Sequence, residues 1–258
     1  MFRNKQPSIR MCFRSGVLAL LFLPAACQQA ATPASAPDGR TAVQVLDRAV
    51  KNMLAWKSYR YSGISRLTVG TNTSLSNQGT FDTILVQNNQ GGLDGHMVVP
   101  GSYETYTWQG NDYTRQQGKG WEKKPGKGEG HGMVSRKARQ VIARFAELCE
   151  QVKFEKVTAD AYVVSLVMGR RYYEGAEKIF YPAGRAAHQG QPADFSKMKT
   201  MMTLTIDRKT LHMVKVVMVD AKIEPAVGGW ITTTTIAAYS GFDKPFDITP
   251  PPEALQAR

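Results

Sequence analysis

The chain has 258 residues, with 33 Lys and Arg against 21 Asp and Glu, and a formal net charge of +12. This length is enough for one good-sized domain and does not require a second one. The basic balance alone is compatible with nucleic-acid binding, but the clustered arginine and aromatic pattern of a nucleic-acid module is missing. We therefore expect no nucleic-acid partner.

Residues 1–26 have the pattern of an export signal peptide. Residues 1–14 contain four basic residues and no acid, and an apolar run follows at Gly16–Leu23. The run is too short to cross a bilayer as a helix, which needs roughly 20 residues. Cys27 comes directly after two alanines, and this arrangement resembles the lipobox of bacterial lipoproteins. The resemblance implies cleavage before Cys27 and lipidation of its thiol; an ordinary secretion signal and a cytosolic protein are the alternatives.

Residues 27–40 are predicted to be the lipidated cysteine and a flexible tether, because Ala, Pro, Ser and Gln dominate the segment and cannot bury a core. Loss of the four basic residues of the signal peptide leaves +8 on the mature chain, and an anionic membrane surface is the expected partner for that charge. Cys12 leaves with the signal peptide and Cys27 carries the lipid. Cys149 then remains alone, without an intramolecular disulfide, and we expect it to be a small buried hydrophobe.

Residues 41–258 are predicted to form a single domain rich in strands. Apolar residues recur at helical spacing from about Thr41 to Trp56 and again over Val134–Cys149, which predicts two helices. Arg170–Phe180 is ambiguous and compatible with a short helix. Alternating patterns predict strands at 58–69, 78–87, 93–99, 103–108, 113–117, 120–124, 152–157, 162–168, 201–206, 211–224 and 230–239.

The connections between these strands are too short for crossovers, so we expect antiparallel hairpins. Two segments are predicted to be surface loops: the Gly- and Lys-rich residues 118–132, and residues 183–196. The tail after residue 240 is predicted to be extended. The predicted class is α+β, with one large, strongly curved antiparallel sheet. The apolar faces of the helices are expected to be buried against its concave side.

A search for catalytic and metal-binding patterns gives almost nothing. Ser196 and Lys199 match a Ser-x-x-Lys spacing, but the partner motifs of penicillin-recognising enzymes are missing. The histidines are not at metal-ligand spacing; they are His96, His131, His188 and His212. We therefore expect no metal, no cofactor and no enzymatic activity.

The strands near the C-terminus are rich in methionine and valine, which suits a surface that accepts variable apolar shapes as well as it suits an ordinary core. If these strands enclose a cavity, they supply its walls. The predicted lining residues are Met202, Leu204, Ile206, Val217, Trp230 and Ile236.

Several segments resemble the LolA-like lipoprotein-carrier superfamily, and most closely its LppX/LprG-type lipid-binding lipoproteins. They are VLDRAVKNMLAWKSYRYSGISRLTV with its Lys57-Ser58-Tyr59, YTRQQGKGWEKKP in mid-chain, and near the end MMTLTIDRKTLHMVKVVM and TTTTIAAYSGFDKPFDITPPPEA. The likeness covers about residues 41–254. It implies a half-open β-barrel wrapped around helices, with an apolar cavity between them. It also implies binding or transport of acylated lipids or lipoproteins, or binding of envelope partners.

The sequence therefore favours a monomeric lipoprotein that is anchored to a membrane and binds a lipid or other apolar ligand. An envelope interaction, structural or sensor protein without a small ligand is the alternative. In a cell with two membranes, Gln28 after the cysteine favours the outer membrane, facing the periplasm. In a cell with one membrane, the anchor lies in the outer face of that membrane.

Overall fold

A computed structural model describes residues 35–70, 72–89, 92–125, 136–180, 195–224 and 229–257. These residues belong to one unit, Thr32–Arg258. The predicted signal peptide, Cys27 and the tether up to residue 34 lie outside the described residues. So do His131, His188 and most of the two predicted surface loops.

Helix α1 spans Ala42–Ala55 and confirms the first predicted helix. Thr41 caps its N-terminus in a reciprocal arrangement, because the Thr41 hydroxyl accepts from the Gln44 amide while the Gln44 side chain accepts from the Thr41 amide. One face of α1 is buried: Ala42, Val45, Leu46, Ala49, Val50 and Met53. The segment before α1 is tied to the domain, since Asp38 accepts a hydrogen bond from the hydroxyl of the buried Tyr162.

The described strands form one open, curved antiparallel sheet with the order β6-β5-β4-β3-β2-β1-β11-β10-β9-β8-β7. The first six are β1 Ser58–Val69, β2 Asn72–Gln87, β3 Leu93–Val99, β4 Tyr103–Trp108, β5 Asn111–Gln116 and β6 Trp121–Pro125. The others are β7 Gln151–Val157, β8 Ala161–Met168, β9 Met198–Asp207, β10 Met213–Glu224 and β11 Gly229–Ser240. The predicted fold class is confirmed: two meanders join where β1 pairs with β11, and β6 and β7 are the edges.

The predicted second helix is divided in two. Helix α2 is Arg136–Ile142 and α3 is Phe145–Leu148, and a turn at 143–144 separates them. The break lets both short helices bury apolar side chains against the same core, including Val141 and Phe145. The ambiguous segment is helix α4, Arg170–Phe180, and one 3₁₀ turn precedes β9 at Phe195–Lys197.

The main core lies between the helices and one face of the sheet, which we call the inner face. Tyr162, Leu204 and Ile206 of this face have no exposed surface, and Leu46 of α1 is equally buried in the same cluster. The free thiol of Cys149 is also buried there, as predicted, and burial raises the pKa of this thiol to about 11.

The tail was predicted to be extended, but it ends in a short helix, α5, Pro252–Leu255. Its Ala254 packs on Tyr106 and Tyr113, which pair with each other on the opposite, outer face of the sheet. The three small or aromatic side chains are nearly inaccessible to solvent. A four-residue helix gives too short a pattern for periodicity, so this contact was not visible in the sequence.

Candidate functional site

A narrow cleft lined mainly by apolar and aromatic side chains lies between α1, α2 and the inner face. Its lining residues are Met53, Leu54, Tyr59, Tyr61, Arg139, Ile142 and Tyr239. The cleft encloses about 20 Å³, which is room for roughly one water molecule. Strand alternation explains the tyrosines: Tyr59 and Tyr61 are two residues apart on β1, and Tyr61 pairs with Tyr239 of β11.

The aromatic rings continue along the inner face as a connected surface. Tyr61 stacks on Tyr239 with ring centroids 5.8 Å apart and contacts Phe81 of β2 at 5.5 Å. Burial raises the pKa of Tyr59, Tyr61 and Tyr239 above the ordinary tyrosine value. Their hydroxyls therefore stay protonated at neutral pH, which gives the cleft uncharged walls.

Arg139 is the charged residue of this lining. Its Nη2 donates a 2.6 Å hydrogen bond to the carbonyl oxygen of Leu54, in the last turn of α1. The bond joins α2 to α1 directly over the cleft. The arrangement combines apolar walls with one cation at their edge, which is the chemistry that suits an amphiphilic ligand.

A second polar feature of the inner face lies under α4. The Tyr173 hydroxyl donates to Thr200 Oγ1 at 2.5 Å, and the Thr200 hydroxyl donates in turn to Asp220. Thr200 is buried, and desolvation raises the pKa of the Asp220 carboxyl, although the bond from Thr200 opposes this shift. The inner face therefore holds a carboxyl that is protonated more readily than one in solvent.

Several solved structures are similar to this chain. Solved LolA superfamily structures are among its neighbours. One is a LolA superfamily protein from Nitrosomonas europaea, at 9% identity and a TM-score of 0.31, over 80% of this chain and 94% of the other. A DUF1329 family protein from Desulfovibrio piger has 9% identity and a TM-score of 0.31, over 81% and 93%.

A chain of the Pseudomonas aeruginosa MucA/MucB complex is similar at 10% identity and a TM-score of 0.36, over 82% of this chain and 62% of the other. No family model and no curated protein matches the sequence. The LolA-like resemblance stays a prediction from the sequence, and the question of function returns to the residues of this chain.

The structure does not bring the six predicted lining residues together. Met202, Leu204 and Ile206 lie on the inner face of β9 and are almost completely buried in the core. The other three lie on the outer face: Val217 pairs with Ile236, and Trp230 is 47% exposed. The six therefore cannot line one cavity, because they lie on opposite faces of the sheet, to which successive residues along each strand point alternately.

The residues of the cleft itself were not among the predicted lining residues. Tyr59 and Tyr61 carried a visible signal, the alternation of aromatic and polar residues on β1. Arg139 gave none, because its role depends on the close approach of α2 to α1.

The residues considered for catalysis are scattered. His96 forms a 3.0 Å contact with Glu104 on the outer face, whereas His212 packs against Trp56 and Phe242. Lys199 lies on the outer face of β9, where it pairs with Ala221. Over the part of the chain that the structure describes, no three His, Cys, Asp or Glu side chains are grouped as a metal site.

None of the described helices is long and apolar enough to cross a membrane.

Proposed function

We propose that this chain is an exported, lipid-anchored envelope protein that binds a lipid or another long apolar ligand against its inner face. The observation that carries the proposal is a set of half-buried apolar side chains around the cleft, one on α1 and four on the inner face. They are Leu54, Tyr61, Phe81, Met218 and Tyr239. Each methylene group that such a surface removes from water contributes about 0.8 kcal/mol to binding.

Binding in this proposal requires α2 to move. A ligand pocket normally measures roughly 300–1,000 Å³, whereas the cleft encloses about 20 Å³. Helix α2 has only seven residues, and the Arg139 bond to Leu54 joins it to α1 over the cleft. Release of this bond would open the aromatic surface and free the guanidinium for an anionic headgroup. The role is non-catalytic, because binding and release need only this movement.

A pair of serine substitutions on strand β2 tests which face binds the ligand. Phe81→Ser, on the inner face, should weaken binding of cis-parinaric acid about tenfold, because the ring no longer covers the acyl chain. Ile84→Ser, three residues further along β2 on the outer face and opposite Arg60 of β1, is the matched control and should leave the affinity unchanged, because Phe81 and Ile84 lie on opposite faces of the sheet. The measurement is a fluorescence titration of the full chain, with thermal unfolding to confirm that both variants fold.

Native mass spectrometry of the same protein, purified without detergent, supplies the second readout. A bound acyl lipid near one per chain supports the proposal and identifies the ligand class. A protein that stays free of lipid and binds no parinaric acid contradicts it. The closed cleft would then mean that the fold is filled by its own side chains, and an interaction or sensor role would replace ligand binding.

The anchor in this proposal is Cys27, and it rests on the sequence of the signal peptide and tether. Cys27→Ser should move the protein from the membrane fraction to the soluble fraction and abolish incorporation of a labelled fatty acid. Cys149→Ser is the control, because that thiol is buried in the core and should not affect either readout. Unchanged labelling of Cys27→Ser would refute lipidation at this residue. The location expected from the anchor is the envelope, on the periplasmic side of an outer membrane or on the outer face of a single membrane.

A further inference from the structure

The outer face of strands β8, β9, β10, β11 and β1 exposes an unusual amount of apolar surface. Seven large hydrophobic side chains are exposed among the described residues, and four of them lie here. They are Ile64, Met201, Trp230 and Ile236, with exposed fractions of 41, 47, 47 and 42%. We call this surface the outer patch.

Cross-strand pairing joins most of the outer patch into one surface, whereas Thr232 and Thr234 separate Trp230 from Ile236 along β11. Thr203 of β9 pairs with Val217 of β10, which pairs with Ile236, and Ile236 pairs with Ile64 of β1. In the next row Met201 lies between Val167 and Val219. Five adjacent strands span about 19 Å at the usual strand spacing. Isolated exposed hydrophobic residues are normal on a protein surface, but a contiguous set of this width marks an interaction surface.

The charged side chains around the outer patch are mainly basic. Five basic side chains point to this face and form no ion pair with a residue that the structure describes: Arg66, Lys153, Lys156, Lys199 and Lys215. Fewer carboxylates lie on the described parts of this face, with β7 included. Asp220 points to the inner face, whereas Asp207 at the end of β9 and the exposed Glu155 of β7 remain as carboxylates at the edge of the patch, where the five basic side chains outnumber them.

We infer that the outer patch docks on the surface of an anionic lipid bilayer. Exposed Trp, Met and Ile side chains suit the boundary between headgroups and acyl chains, and surrounding lysines are attracted to anionic headgroups. A second copy of the chain is disfavoured as the occupant, because a two-fold contact places the same basic rim against itself. The geometry also agrees with the anchor of the proposed function. Seven residues lie between Cys27 and Ser35, and the eight steps between successive Cα atoms extend to at most about 29 Å.

Vesicle flotation tests the inference on the full chain carrying Cys12→Ser and Cys27→Ser, so that lipidation plays no part. Vesicles contain phosphatidylcholine alone or with 30% phosphatidylglycerol. The double variant K199Q/K215Q should partition about 25-fold more weakly onto the anionic vesicles. This factor follows because each basic residue near the surface strengthens partitioning about fivefold. The matched control K51Q/K119Q removes two exposed lysines elsewhere and should change partitioning far less. The signal peptide is the same in every variant, so its own affinity for the vesicles cancels when the variants are compared.

A probe at a single site shows which surface meets the bilayer. A polarity-sensitive fluorophore on Met201→Cys should shift to the blue when anionic vesicles are added, whereas the same probe on Val43→Cys, 42% exposed on α1, should not. An unchanged probe at residue 201, or equal losses in the face and control variants, overturns the inference. A blue shift of the probe at residue 201 without vesicles, together with a dimer in sedimentation velocity, also overturns the inference. The outer patch would then bind a second copy of the chain. The result of this test depends neither on lipidation of Cys27 nor on the cleft. A negative result would therefore overturn the inference without bearing on the proposed function.

Discussion

Gly63→Ala is expected to destabilise the protein by about 3 kcal/mol, a large part of the stability of an ordinary domain. Gly63 lies in β1, where it pairs with Ala237 of β11 and Phe81 of β2. A Cβ added to it would overlap the carbonyl oxygen of Ile236 and lie 2.8 Å from the Cα of Ala237. Both atoms are backbone of the paired strand, so no side chain can turn away to make room.

The effect should be specific to this position. Gly79 of β2 has nothing within 4 Å of an added Cβ, so Gly79→Ala should change the unfolding free energy by less than about 0.5 kcal/mol. The measurement is urea unfolding of both variants, compared by their midpoints at constant slope. Equal midpoints for the two variants would show that β1 and β11 do not approach as closely as described.

Gly63 matters because β1 and β11 are where the two meanders of the sheet meet. Strands β1–β6 and β7–β11 are joined side by side only through this pair and its continuation. The aromatic rings of the cleft, Tyr61 and Tyr239, are the pair two residues away. Loss of the close approach at Gly63 should therefore disturb both the sheet and the candidate ligand site.

Much of this architecture was accessible from local sequence patterns. The predicted bounds of β1, β3 and β4 are those of the structure, and α1 begins one residue after its predicted start at Thr41. Period-two alternation and helical spacing are local properties of the sequence, so they can be recognised without knowing which strands pair. The same local rules could not divide the second helix, because the turn at 143–144 forms as Val141 and Phe145 pack into one core.

The site was less accessible, because alternation defines two faces without saying which one meets the helices. Val217 and Val216 are equally apolar, yet Val216 is 5% exposed in the core and Val217 belongs to the outer patch. The register of β9 against β10 decides between them, and a one-residue slip would exchange the faces. This is why the predicted lining residues include members of both surfaces.

Leu204→Ala should cost about 3–4 kcal/mol, and the value bears on whether this residue lines a ligand cavity. Leu204 has no exposed surface and pairs with Val164 of β8 and Val216 of β10, both of which belong to the main core. Truncation in a close-packed core leaves a new void, which adds to the lost transfer free energy.

A leucine that already borders an open pocket loses mainly the transfer term when it is truncated. A cost below about 1.5 kcal/mol for Leu204→Ala would therefore place the residue at a cavity and restore the original lining prediction. Thr205→Ala, next to it on the outer face of β9 and paired with Lys215, controls for strand propensity and should cost less than about 1 kcal/mol. Urea unfolding with and without parinaric acid separates the two cases. A core residue gives the same loss in both conditions, whereas a lining residue gives a loss that changes when the ligand is bound.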